Sequence, residues 1–188
     1  MRSSLALAAL LAFAACGGDP SPAPAGGGGA AVAGKPAATL LADADTAEQA
    51  GDWKTVLACA NGALADAKAT GEEKQEAWLR RIAAEAHVHG TEATKTALTQ
   101  MTASGDVPPA GKLVSLATDL ANNDQAAAAV EVVAAADAKY GSDPVTKKQL
   151  KKVAKMCQAK LTESGDAGAL AQLQALGYLS ASDDEEDE

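Results

Sequence analysis

Aromatic side chains make up only 3% of this 188-residue sequence, and one of them, Phe13, lies in an N-terminal apolar run. The others are Trp53, Trp78, Tyr140 and Tyr178. Since 47% of the residues are nonetheless hydrophobic, the core must be built from Ala, Leu and Val. Such a core suits closely packed helices, because Ala is the best helix former and adds little bulk. It suits sheets poorly, since strands favour β-branched and aromatic residues. No segment alternates apolar and polar residues long enough to form a half-buried strand. Positive charge is also scarce: 16 basic residues face 25 acidic ones, for a net charge of −9. A chain of this sign repels phosphate backbones, which excludes nucleic acid as a partner. Bulk attraction to anionic lipid is excluded for the same reason.

The chemistry-bearing residues are few. His87 and His89 are the only histidines. Two apart on a helix, they point about 200° away from each other, whereas zinc sites on one helix use spacings of three or four. They read as solvent-exposed residues at a helix end, not as metal ligands. Cys-x-x-Cys is absent, and neither histidine stands in a recognisable Ser/His/Asp or Cys/His setting. Gly27 to Gly29 are followed by no Lys-Ser/Thr, so there is no phosphate-cradling loop. Carboxylates are abundant but form no marked acid–base pair; Asp43 and Asp45 fall on different helical faces. The expectation is a non-enzyme with no cofactor and no small-molecule substrate.

The longest apolar run is also short. Leu5 to Ala15, LALAALLAFAA, follows Arg2 and is eleven residues long. That length fits a signal-peptide core and falls well below what a bilayer span needs. The run ends in Phe13-Ala14-Ala15-Cys16, which resembles the lipobox of bacterial lipoproteins, where small residues precede an obligatory cysteine. The resemblance implies cleavage before Cys16, transfer of diacylglycerol to its thiol and acylation of its new amino group. Three acyl chains, at about 0.8 kcal/mol per buried methylene, make an effectively permanent anchor. Losing residues 1–15 removes Arg2 and leaves 15 basic and 25 acidic residues. Gly17, not Asp, follows Cys16, and in the sorting rule of enteric bacteria this favours the outer membrane. The expected location is therefore the bacterial cell envelope, lipid-anchored, at the outer membrane.

Gly17-Gly18-Asp19-Pro20 opens a stretch rich in Gly, Pro, Ala and Ser that runs to Pro36 and supports no regular structure. About 20 flexible residues have a root-mean-square reach of roughly 25 Å, enough to hold a domain clear of headgroups. The expected organisation is a signal peptide over 1–15, a lipidated cysteine and linker over 16–36, a helical repeat domain over 37–180, and an acidic disordered tail over 181–188.

Within the body, glycine and proline fall at breaks. Gly51, Gly71, Gly90, Gly105, Gly141 and Gly165 sit where helical runs stop, as expected for residues just past a helix C-terminus. Asp143-Pro144 reads as an N-cap with proline at the first helical position, and Asp166 reads as a second N-cap. The predicted helices cover 37–50, 53–69, 72–89, 91–103, 109–122, 124–140, 144–163 and 166–176. Leu79, Ile82, Ala83 and Ala86 form one apolar stripe. Leu113, Leu116, Ala117 and Leu120 form another at an offset of 34 residues. Leu40, Ala44 and Ala47 lead into Gly51-Asp52-Trp53 and then Ala63-Leu64. Asn122-Asn123-Asp124 turns the chain in a third unit, and Tyr140-Gly141-Ser142-Asp143-Pro144 closes it. Over residues 38–144 this pattern resembles tetratricopeptide repeats, whose period is 34 residues.

That resemblance implies an all-α fold, a tetratricopeptide-like array of antiparallel helix hairpins, with the helix from Pro144 as terminal cap. An irregular helical bundle is the alternative. Leu173 to Leu179 reads as a hydrophobic plug closing the last helix pair. Cys59 and Cys157 fall in the first and last units. A disulfide needs Cα atoms within about 7 Å, so two buried thiols are expected in preference to a bridge. Lys147, Lys148, Lys151, Lys152 and Lys155 form a basic stripe, with Lys160 a turn on, and residues 183–188 form an acidic run. Either they are a solvated face and a solubilising tail, or the stripe, centred on Lys148, Lys151, Lys152 and Lys155, makes an electrostatic contact with the tail, an anionic partner or headgroups. The resemblance implies an envelope lipoprotein that captures a protein or peptide as a scaffold or assembly factor. The alternative is a spacer lipoprotein with no groove ligand.

Overall fold

The computed structural model of the chain describes Val32 and residues 34–179. The described residues form eight principal α-helices and no strand. They are α1 (Ala37–Gln49), α2 (Trp53–Ala65), α3 (Gly71–Val88), α4 (Thr91–Ser104), α5 (Ala110–Asn122), α6 (Ala126–Tyr140), α7 (Pro144–Ser164) and α8 (Ala167–Ala175). The fold is all-α, as the Ala/Leu-rich core and the lack of strand patterning predict. The signal peptide, Cys16 and the tail over 181–188 lie outside the described residues. No helix among the described residues is long and apolar enough to cross a membrane.

Short connections set the topology. Three residues join α1 to α2, two join α3 to α4, three join α5 to α6 and two join α7 to α8. Helices that pack together across such short links run antiparallel, and each of these pairs does pack together. The hairpins then stack. α1 packs on α3, α3 on α5, and α5 on α7, which makes one row; α4, α6 and α8 pack in sequence as a second row. A two-row stack of this kind is compatible with an all-α helical repeat array.

The helix starts obey local chemistry. Asp52, Asp143 and Asp166 cap α2, α7 and α8 by accepting the backbone N–H of Thr55, Thr146 and Ala169. Thr70 and Glu73 form a reciprocal capping box at the start of α3. This corrects the expected break at Gly71, which is instead the first residue of α3. Gly141 is also no left-handed terminator, since its φ is −64°. It is a glycine because a Cβ there would sit 2.3 Å from Asp137 Oδ1 and 2.6 Å from the Asp137 carbonyl oxygen. Gly51, Gly90, Gly105 and Gly165 do take positive φ, as expected.

Two further boundaries differ from expectation. α2 stops at Ala65, not near 69, because Asp66 turns outward to accept two backbone N–H groups, from Ala37 and Lys68. Asp66 thereby satisfies an otherwise orphaned donor at the start of α1, which Pro36 as N-cap cannot do. Val32, placed by the sequence in an unstructured linker, is helical, half-buried, and packed against the α1–α2 core. Its apolar side chain finds a gap where Gly62 brings α2 close to Leu40.

The core divides into two clusters. Leu40, Ala44, Ala47, Val56, Cys59 and Ala63 join Ala77 and Ala84 of α3 in the first. The second holds the stripes Leu79–Ile82–Ala83–Ala86 and Leu113–Leu116–Ala117–Leu120, with α4, α6, α7 and α8. α3 therefore faces a core on two sides. The stripe spacing recurs on α7 as Leu150, Val153, Ala154 and Cys157, all buried. Leu173 and Tyr178 are buried and Leu176 and Leu179 pack on the second cluster, so the C-terminal segment is the expected plug.

Candidate functional site

The row α1, α3, α5 presents a surface cleft of about 240 Å³. α3 contributes Glu76, Leu79, Arg80, Ala83 and His87, α5 contributes Lys112, Ser115, Leu116 and Asp119, and Glu48 and Trp53 close one side. These residues sit together because α3 and α5 pack side by side while their polar faces stay outside both cores. The floor is apolar, from Leu79, Ala83, Leu116 and Leu120, and the rim is charged.

The rim charges are paired in a chain. The Arg80 guanidinium contacts Asp45 at 2.5 Å, Glu48, and Glu76 at 3.1 Å. Glu76 in turn receives Lys112 at 3.0 Å. One cation thus binds α1 to α3, and a second binds α3 to α5. Three carboxylates of the cleft, Glu48, Glu76 and Asp119, face two cations, Arg80 and Lys112, so the surface is acidic on balance. At the other side the rings of Trp53 and His87 stack with centroids 3.9 Å apart and planes 8° from parallel. Burial holds the His87 imidazole below the usual histidine range, against the opposing pull of Glu48. His87 is half-buried in the cleft wall, which corrects its reading as a solvent-exposed helix-end residue; only His89 is exposed, bonded to Glu85.

The other residues singled out in the sequence lie elsewhere. Lys148, Lys152 and Lys155 are exposed on α7 and Lys151 is half-exposed, all outside the cleft. Lys160 pairs with Asp124 at 2.6 Å, tying α7 to the α5–α6 turn. Asp124 takes φ +60°, as the Asn-Asn-Asp turn requires. Cys59 and Cys157 are free and buried, on α2 and α7. Burial pushes the Cys157 thiol up to about 11. Cys16 lies outside the described residues. Among the described residues, no group of three or more His, Cys, Asp or Glu side chains is placed to hold a metal ion.

Most cleft residues escaped sequence reasoning. Trp53 was marked by the Gly-Asp-aromatic turn, but Glu48, Arg80 and Lys112 belong to different helices and carry no shared motif. The offset of 34 pairs Lys112 with Trp78, not with Arg80, so even the repeat register does not bring them together. The usable signal was weaker: Glu76 and Arg80 are one turn apart, and Asp45 and Glu48 share a face.

The fold and cleft define an all-α body of stacked hairpins with an acidic, aromatic-edged furrow. No family model, no curated protein and no solved structure matches the chain.

Proposed function

We propose that the protein is a lipid-anchored envelope protein, without enzymatic activity, whose stacked hairpins hold a segment of a partner protein as a scaffold or assembly factor. The observation that carries this reading is the α1–α3–α5 cleft. Its volume falls below the roughly 300–1,000 Å³ of pockets that enclose a small molecule. Its apolar floor and fixed charged rim instead suit a few side chains of an extended chain lying across it. The Trp53–His87 stack supplies a rigid aromatic wall of the kind that anchors interfaces. The lipobox-like Phe13-Ala14-Ala15-Cys16 supports the anchor, and Gly17 supports the outer-membrane side.

Photo-crosslinking tests the cleft. A photoreactive side chain is placed at Ser115, in the cleft, and separately at Lys95, exposed on α4. Irradiation of the lipidated protein in its own membranes should give adducts of discrete mass from position 115 alone. Identical adducts from both positions would rule out recognition by the cleft. The anchor is tested by labelled fatty acid, which should enter the wild-type chain and not Cys16→Ser.

A further inference from the structure

The strongest cationic surface of the described body lies on α7. From Pro144 to Thr162 the helix carries six lysines and no acidic residue, on a chain of net charge −9. Leu150, Val153, Ala154 and Cys157 face the core, and the lysines fill the outer face. Lys160 is taken up by Asp124. Lys147, Lys148, Lys152 and Lys155 are exposed and make no ion pair among the described residues. Val145 and Met156, the large hydrophobic residues left exposed among those described, lie on the same helix.

The last described residues lie against the end of α6 that leads into this helix. The Tyr178 hydroxyl donates to Asp137 Oδ1 at 2.5 Å, and Asp137 lies in the last turn of α6, three residues of connection away from Pro144. Residues 180–188 follow, and 183–188 are six consecutive carboxylates. Nine residues span up to about 30 Å when extended. From Pro144 to Lys155 along α7 is only about 17 Å. Length, exit point and opposite charge therefore converge on one surface.

We propose that the acidic run 183–188 lies along the lysine face of α7 and closes that face to other anionic surfaces. The tether makes the contact intramolecular, with an effective concentration in about the millimolar range. Each lysine–carboxylate contact is weak and solvent-exposed, so the cover exchanges and opens in salt. An anionic membrane or an acidic partner would have to displace the tail before reaching α7. The proposal is independent of the cleft.

Carbodiimide crosslinking of the full chain, read by peptide mass spectrometry, tests it. Links between the tail carboxylates and Lys147, Lys148, Lys152 and Lys155 should exceed those to the exposed Lys54, Lys68 and Lys95 by roughly tenfold per lysine, the equivalent of about 1.4 kcal/mol. They should occur within one chain and vanish near about 1 M salt, where the Debye length is about 3 Å. The double variant Lys148→Glu, Lys152→Glu should lose the links at Lys147 and Lys155 with unchanged helical circular dichroism. Tail links spread evenly over all exposed lysines, links only between chains, or links insensitive to the double reversal would overturn the proposal. If the links spread evenly while phosphatidylglycerol vesicles shield the α7 lysines from acetylation, the face belongs to the membrane and the tail has no part in it.

Discussion

Replacing Gly141 with Ala sets two effects of opposite sign against each other. The backbone at Gly141 has φ −64° and ψ −12°, which any residue adopts. By the backbone alone, Ala should stabilise the protein by about 0.4–1 kcal/mol through a less flexible unfolded chain. The surroundings say otherwise. The added Cβ would lie 2.3 Å from Asp137 Oδ1 and 2.9 Å from its Cγ, so the carboxylate must move. Moving it breaks the bond from the Tyr178 hydroxyl, which holds the C-terminal segment on α6. A hydrogen bond to a charged group contributes about 1.5–3 kcal/mol, and overpacking costs about 1–3 kcal/mol. Net destabilisation of about 2–4 kcal/mol is expected, because the steric and hydrogen-bond losses outweigh the entropic gain. Urea unfolding followed by circular dichroism measures it. The mechanism demands coupling as well: Tyr178→Phe should cost clearly less in the Gly141→Ala background than in the wild type. A stabilised Gly141→Ala protein, or strictly additive single effects, would refute the reasoning.

Three further outcomes follow from the same structure. Burial, and then the bond to Asp137, raise the Tyr178 hydroxyl above the usual tyrosine range. The folded state therefore keeps a proton that the unfolded state releases, so stability should fall as pH rises above about 10, and Tyr178→Phe should flatten that part of the stability profile. Cys157, raised to about 11 by burial, should be about one part in a thousand thiolate at pH 8; iodoacetamide should label it in urea and spare it in the native protein. Ala84 is fully buried where α3 meets the α1–α2 core, so Ala84→Leu should destabilise by about 1–3 kcal/mol or more, whereas Ala42→Leu, on the exposed side of α1, should be close to neutral by thermal melting.

Much of the helical body is legible in the sequence alone. Asp143-Pro144 and Asp166 announce the starts of α7 and α8 because capping is a local event, decided within one turn of chain. The Leu79 and Leu113 stripes announce buried faces because period alone separates core from solvent. The errors share a cause. Asp66 ends α2 while bonding Ala37, 29 residues earlier. Gly141 is excluded from bearing a side chain by a carboxylate that a distant tyrosine holds in place. Val32 packs on the α1–α2 core beside Gly62, 30 residues further along the chain. None of these contacts leaves a pattern within a window of neighbouring residues.

The candidate site divides in the same way. Composition determined an Ala-rich, all-helical body of acidic charge, and periodicity determined which face of each helix is apolar, since both depend only on neighbours along the chain. Which polar faces meet was decided by tertiary packing. Arg80 gathers Asp45, Glu48 and Glu76, and Trp53 lies on His87, only because α1, α3 and α5 stack in one row. Interhelical contacts depend on the angle and register at which helices cross, and many sequences with the same periodicity can cross differently.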